Sequence, residues 1–124
     1  VAEKGFSLCY DTAVSALEAF ELRKFSRDPA AAEAADLRVS RMLDCDLMIL
    51  DDLGTEMITS VSLSALYTLI NSRLLKGRPT IISTNLSDEE LKKRYTPQII
   101  SRIQGEFTLL PFSGQDIRLI KKEL

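Results

Sequence analysis

The feature that most constrains this chain is an unbroken apolar run, Leu47 to Leu50, followed by two adjacent carboxylates, Asp51 and Asp52. A strand with one solvated face alternates apolar and polar residues, whereas a strand covered on both faces is apolar throughout. The run therefore predicts a buried parallel strand. A second run, Thr80 to Asn85, is rich in β-branched residues and also ends on polar side chains.

Helical patterns precede and separate these two strands. Asp11 or Thr12 can cap a helix that continues to about Ser26, and Asp28 followed by proline starts another. Their spacing predicts the inward-facing residues Val14, Leu17, Phe20 and Phe25 in the first helix, and Leu37, Met42 and Leu43 in the second.

The remaining signals complete an alternation of strands and helices. A helix is predicted from Ser60 to Lys76, ended by Gly77 and Pro79, and Ser87 begins a capping box. Thr96 and Pro97 open a short helix that ends near Gly105. Two further strands are predicted at Phe6–Tyr10 and Phe107–Phe112. Four alternations without a linker indicate one α/β domain over residues 1–124, with a largely parallel sheet.

Chemistry is expected at the carboxyl edge of this sheet, where Asp51, Asp52 and Asn85 end their strands. One carboxylate can hold Mg²⁺ and the other can position water, which are the two requirements of nucleotide hydrolysis. The Asn85 amide could orient that water or contact the γ-phosphate. The alternative is structural, because Asp and Asn are also common turn residues.

Arg102 is the candidate residue for a contact with a second subunit. Ile99, Ile100 and Ile103 share one helical face, and Arg102 lies roughly 100° from it. Its side chain should therefore leave the core, where it could stabilise charge on a phosphoryl group bound by a neighbouring molecule. The alternative is an ordinary solvated arginine.

Composition narrows the function classes. The net charge of −2 gives no sign of a strongly basic nucleic-acid surface, and the absence of histidine excludes His-based triads and most zinc sites. The basic cluster from Lys92 to Arg94 has the pattern of a solvated helix face. Cys9 and Cys45 lack C-x-x-C spacing and are predicted to be buried free thiols in a reducing cytosol. No signal peptide or apolar membrane span is present, so a cytoplasmic protein is expected.

Taken together, these segments resemble DnaC-, DnaI- and IstB-type AAA+ ATPases. Residues 47–54 (LMILDDLG) resemble the Walker B strand of that family, and residues 81–86 (IISTNL) its sensor 1 strand. Residues 97–103 (PQIISRI) are similar to the helix that carries the arginine finger. Residues 114–118 (GQDIR) resemble the C-terminal segment in which a sensor 2 arginine occurs.

The resemblance implies a P-loop NTPase (AAA+) fold with ATP and Mg²⁺ as cofactors. It implies a role for each of five residues: Asp51 binds Mg²⁺, Asp52 replaces the catalytic glutamate, Asn85 is sensor 1, Arg102 is the finger, and Arg118 is sensor 2. Aspartate at position 52 is one methylene shorter than glutamate, which leaves room for slower hydrolysis. The implied partners are copies of the same protein, a replicative helicase and single-stranded DNA, or a transposase for an IstB-like helper.

The chain also departs from the family, because no G-x-x-x-x-G-K-[ST] loop is present. Residues 1–5 have the pattern of a helix end closed by glycine, which predicts a fragment of a longer protein that lacks the first strand and the P-loop. We therefore expect the intact parent to hydrolyse ATP and this fragment to bind it negligibly. In the family the strands of the sheet have the order 5-1-4-3-2, and strand 1 is the one that this chain lacks. The last predicted strand corresponds to strand 5 and therefore loses its neighbour. Either it closes the gap or another molecule fills it.

Two other readings remain from the residues alone. The domain could be a non-catalytic interaction module in which Asp51 and Asp52 form only a turn. A receiver-like domain also suits paired acidic residues at a strand end. It is disfavoured because Asn85 occupies the end of the second central strand, where a phosphate-accepting aspartate would be needed.

Overall fold

The computed structural model describes residues 5–111 and 117–121, which form five strands and five helices. Their order along the chain is β1 (Leu8–Thr12), α1 (Ala13–Phe25), α2 (Pro29–Asp44), β2 (Leu47–Leu53), α3 (Ser60–Leu75), β3 (Thr80–Thr84), α4 (Asp88–Arg94), α5 (Pro97–Glu106), β4 (Phe107–Pro111) and β5 (Ile117–Lys121). Among the described residues, no helix is both long and apolar enough to span a bilayer.

The helices begin where local capping chemistry satisfies their free N–H groups. The Thr12 hydroxyl accepts a hydrogen bond from the Ser15 amide, so Thr12, of the two predicted candidates, caps α1. The predicted capping box at Ser87 is confirmed, since Ser87 and Glu90 each bond the other's backbone N–H. Gly77 ends α3 with φ 68°, a left-handed conformation that suits glycine.

The strands form one mixed sheet with the order β1-β2-β3-β5-β4. The first three strands are parallel, with Leu8 opposite Leu47 and Ile49 opposite Ile81. The predicted α/β class and parallel core are therefore confirmed. Strand β1 begins two residues later than predicted, and β2 continues through both aspartates to Leu53 rather than ending at Leu50.

Strand β5 is the main difference from the predicted topology. We expected a gap beside β4 that either β4 or another molecule would close. Instead, β5 of the same chain lies antiparallel between β3 and β4, with Ile82 opposite Leu119 and Leu109 opposite Leu119. The family resemblance implies a nucleotide-sensing role for Arg118 in this segment, and its Ile-Arg-Leu-Ile sequence also suits a strand.

The core lies between the sheet and helices α1, α2, α3 and α5. Cys9, Met48, Leu50 and Ile82 are buried on one face of the sheet and belong to the same cluster as the buried residues of these helices. On the other face, Leu8 and Tyr10 are 58% and 59% exposed. Alternation along a strand accounts for this division.

Three predicted core positions are wrong. Val14, Phe25 and Leu37 are exposed, at 48%, 59% and 64%. In α2 the buried face instead consists of Ala35, Val39 and Met42. This set follows the i, i+4, i+7 spacing of a helix, and Leu37 lies outside it.

A buried arginine holds the amino-terminal edge of the sheet together. Arg73 of α3 is fully buried, and its guanidinium donates to the carbonyl oxygens of Met42 (2.8 Å), Cys45 (2.9 Å) and Pro79 (2.8 Å). It also donates to the Thr80 hydroxyl at 2.8 Å. These bonds join the end of α2 to the start of β3 through α3. Burial lowers the pKa of Arg73, because an apolar surrounding disfavours its charge.

Candidate functional site

A bulge at the carboxyl end of β2 presents the two aspartates. Leu50 pairs with Ile82 and Leu53 pairs with Thr84, so Asp51 and Asp52 together oppose one residue of β3, Ser83. Such an extra residue bends the strand and redirects the side chains next to it. Asp52 absorbs the distortion with a positive φ of 57°, which aspartate tolerates better than most residues.

Hydroxyl groups from both neighbouring strands hold the Asp51 carboxylate. Tyr10 of β1 donates to Oδ2 at 2.5 Å, and Ser83 of β3 donates to Oδ1. Asp51 is thus a fixed acidic group of intermediate exposure at the centre of the parallel strands.

Asp52 differs from Asp51 in its surroundings. Its side chain is exposed, while its backbone is held, because the Asp52 N–H donates to Ser83 Oγ at 3.0 Å. Its carbonyl oxygen accepts from the Thr55 hydroxyl at 2.8 Å. An exposed carboxylate on a fixed backbone is free to position water.

Asn85 directly follows β3 and is exposed at the same carboxyl edge of the sheet. The predicted placement of Asp51, Asp52 and Asn85 at the ends of adjacent parallel strands is therefore what the structure contains. Close packing supports this edge, since a Cβ on Gly54 would lie 2.6 Å from Leu86 Cδ1. Gly54 also has φ 112°, a conformation that glycine alone adopts readily.

A buried carboxylate ties the loop after β2 to α4. Glu56 is 5% exposed and accepts hydrogen bonds from the Gly54 amide at 2.9 Å and the Tyr95 hydroxyl at 2.5 Å. Arg94 donates to the Glu56 carbonyl oxygen. Burial first, and the hydrogen bond to Glu56 second, raise the pKa of Tyr95 well above its usual range. The phenol therefore stays protonated and remains a donor.

The two candidate arginines lie on elements other than β2, which carries the aspartates. Arg102 is half-buried on α5, beside the buried Ile99, Ile100 and Ile103, and it forms no hydrogen bond or ion pair within the described part of the chain. Arg118 is in β5, paired in register with Ser83 and Leu110. Residues 114–116 of the predicted sensor 2 segment, residues 1–4 of the predicted helix end and Phe112 lie outside the described residues.

Sequence reasoning missed Tyr10, Ser83 and Glu56. Tyr10 pairs with Ile49, two residues before Asp51, so Tyr10 and Asp51 lie on the same face of the sheet. The alternation of side chains along β1 was a signal for this placement. Ser83 is a polar residue in an otherwise apolar strand, which was a second signal. Nothing in the sequence marked Glu56, since its burial depends on Tyr95, 39 residues further along the chain.

The donor set fits one part of a Mg²⁺–nucleotide site. Mg²⁺ commonly uses one or two protein carboxylates and takes its other oxygens from phosphates and water. Asp51 and Asp52 meet that requirement. Among the described residues, no cluster of three or more histidine, cysteine, aspartate or glutamate side chains could hold a metal ion alone. A phosphate-binding glycine-rich loop would have to come from residues outside this sequence.

Comparison with known proteins gives no further assignment. No family model, no curated protein and no solved structure matches this chain.

Proposed function

We propose that this chain is part of the ATPase domain of a DnaC-like AAA+ helicase loader, acting in DNA replication. The observation that carries the proposal is the Asp51 carboxylate, which two hydroxyl groups fix at the carboxyl end of the middle parallel strand. Asp52 and Asn85 at the same edge support it. A turn without chemical function does not require an acidic side chain held from both neighbouring strands.

In this proposal Asp51 is the protein ligand of Mg²⁺, and Asp52 and Asn85 orient the attacking water. When bound, the ion would neutralise charge on the transferred phosphoryl group. Tyr10 and Ser83 keep the Asp51 carboxylate in a single orientation. The proposal requires a phosphate-binding loop, and no segment of this sequence supplies one.

Arg102 acts on a neighbouring subunit in this scheme, so hydrolysis requires self-association. Its lack of a partner among the described residues is consistent with that role. Arg118 as sensor 2, and the helicase and single-stranded DNA as partners, follow from the resemblance alone.

The decisive experiment is the substitution Asp51→Asn in the longer protein. We expect ATP turnover to fall by about 100-fold or more, because the amide cannot neutralise the metal as a carboxylate does. Asp44→Asn is the matched control, since Asp44 is an exposed aspartate at the opposite edge of the sheet, paired with Lys76. Turnover that Asp51→Asn leaves unchanged would favour the non-catalytic interaction module.

The partner assignment is tested separately by affinity capture of the longer protein with a replicative helicase and with transposases. Retention of the helicase supports the loader. Retention of a transposase alone would instead assign an IstB-like helper with the same ATPase core. For the 124-residue chain by itself, calorimetry should detect no micromolar binding of Mg²⁺ and ATP.

A further inference from the structure

An open groove lies between the start of β1 and the second half of α2. It has a volume of about 520 Å³, and its lining includes Leu8 of β1 and Leu37, Ser40 and Arg41 of α2. β1 is the outermost strand of the sheet on this side. The groove therefore combines a strand at the sheet edge with one face of a helix, at a distance from the aspartates that end β2.

The edge strand directs backbone hydrogen-bonding groups away from the sheet at this groove. The Ser7 carbonyl oxygen accepts from the Leu47 amide at 3.1 Å, so Ser7 turns its carbonyl toward β2. Successive residues of a strand turn these groups to opposite sides, which points the N–H and C=O of Leu8 outward. An extended segment can pair with Leu8 there and continue the sheet.

The second half of α2 runs alongside β1 in the opposite direction. Arg38 donates to the Asp11 carboxylate, near the carboxyl end of β1, at 2.7 Å. The amide of Asp46, two residues after α2, donates to Ser7 Oγ, next to the amino end of β1, at 3.0 Å. A segment that pairs with the outer edge of β1 would therefore have α2 along its length.

The face of α2 in the groove carries a large apolar side chain and a cation. Leu37 and Arg41 are four residues apart and share one helical face, and Leu37 is 64% exposed. Within the part of the chain that the structure describes, the Arg41 guanidinium forms no hydrogen bond or ion pair. Asp44, which also lines the groove, is paired with Lys76 at 2.6 Å. The groove thus favours a ligand with an apolar group and a negative charge.

The spacing of these two side chains matches that of an extended peptide. Alternate residues of a strand share a face and lie roughly 6.6–6.8 Å apart. Side chains four residues apart on a helix have Cβ atoms about 5–6 Å apart. An apolar residue followed two positions later by an acidic one can therefore contact Leu37 and Arg41 in turn. This order requires a peptide antiparallel to β1, because α2 runs antiparallel to that strand.

We propose that this groove binds an extended segment of a partner protein, which adds to β1 as an antiparallel strand. The segment has the pattern apolar-x-acidic. Backbone hydrogen bonds to Leu8 hold it in register, its apolar side chain packs on Leu37, and its carboxylate pairs with Arg41. Complementary charge at Arg41 gives the site its selectivity. The site does not depend on the proposed ATPase role.

The test is an NMR titration of the isotope-labelled 124-residue chain with the peptide acetyl-Thr-Val-Leu-Thr-Asp-Val-Thr-amide. We expect the largest amide shift changes at Leu8, Ser40 and Arg41. Hydrogen exchange of the Leu8 amide should slow by about tenfold or more at saturation, because a protected N–H exchanges only when the added strand opens. No shift change at these residues with about 1 mM peptide would overturn the proposal.

Variants of exposed side chains test the selectivity without disturbing the core. Arg41→Glu should weaken binding by about tenfold or more, and should favour a peptide with lysine in place of the aspartate. Leu37→Ala should also weaken binding, since the apolar contact is lost. Arg27→Glu is the matched control, because Arg27 is exposed and does not line the groove. Equal affinity for the peptide in all three variants would refute the site.

A second copy of the chain is the competing occupant of the groove. Sedimentation of the chain without peptide, together with NMR spectra at several protein concentrations, separates the two cases. A monomer whose Leu8 and Arg41 amides do not shift on dilution supports a partner segment. A dimer in which the same amides shift on dilution would overturn the proposal in favour of self-association.

Discussion

Ser83 shows how much of the candidate site depends on a single side chain. It faces both aspartates across the bulge, donates to the Asp51 carboxylate and accepts from the Asp52 amide. The hydroxyl thereby compensates for the ladder bonds that the bulge interrupts. The pair of aspartates was visible in the sequence, but the bulge and the role of Ser83 were not, because both depend on pairing between segments about thirty residues apart.

Gly54→Ala tests the packing of this edge. We expect a loss of about 1–3 kcal/mol in the free energy of unfolding, from the positive φ and from the clash with Leu86. Urea unfolding measures it. In a double-mutant cycle, Gly54→Ala should lower the free energy of unfolding by less when Leu86 is alanine. The clash is then absent, and only the backbone strain at position 54 remains. Strict additivity of the two substitutions would show that Leu86 is not the obstacle.

Asp46 is expected to contribute to stability in a pH-dependent way. A hydrogen bond from the Ser7 amide lowers the pKa of Asp46. The positive charge of Arg78 lowers it further, by a smaller amount. Since the folded-state pKa is the lower one, the stabilisation is present above the ordinary aspartate value of about 3.9 and is lost as the pH falls through the folded-state value. Asp46→Asn should therefore destabilise the chain at pH 7 and much less in acid. An equal effect at both pH values, measured by urea unfolding, would contradict this.

At the scale of elements, the sequence predicted what local chemistry determines. The ends of α1, α3 and α5 and the start of α4 were predicted to within two residues of their observed positions, because caps, proline and glycine are local signals. The inward faces of α1 and α2 were only partly correct. Alanines with 0–3% exposure fill the contact between helices and core, and a small residue gives a weak hydrophobic signal.

Arg73 is the element-scale contact that we expect to matter most. Arg73→Lys should lower the free energy of unfolding by about 2–4 kcal/mol, because an ammonium cannot bond all the acceptors of the guanidinium and leaves buried carbonyl oxygens unpaired. Thermal or urea unfolding checks this. Arg23→Lys is a suitable control, since Arg23 is an exposed residue paired to Asp36 at only 3.8 Å. Similar small effects for both variants would refute a structural role for Arg73.

At the scale of the whole molecule, the central feature is the mixed sheet. Three parallel strands were predicted and found, whereas the insertion of β5 was not predicted. Strand order depends on pairing between segments that are distant in sequence. The sequence of a short apolar strand does not indicate which other strands it will pair with. The family resemblance gave the order of β1, β2 and β3 correctly and left the position beside β4 open.

Leu119→Pro tests the position of β5. Proline removes a backbone donor inside a strand that is paired on both sides, so we expect a loss of about 3 kcal/mol or more in the free energy of unfolding. Leu119→Ala keeps the backbone N–H and is the matched control. Hydrogen exchange should also show lost amide protection in β3 and β4. Unchanged protection in both strands would place β5 elsewhere.

The sheet order has a consequence for synthesis on the ribosome. Strand β3 is complete at Thr84, but its second neighbour begins only at Ile117, 33 residues later. At a translation rate of about 5–20 residues per second, one edge of β3 therefore stays unpaired for roughly 2–7 s. Strand β4 also emerges before the strand that joins it to the sheet. The nascent chain is therefore most exposed to aggregation during this interval, and chaperones that bind apolar strands would act on it then.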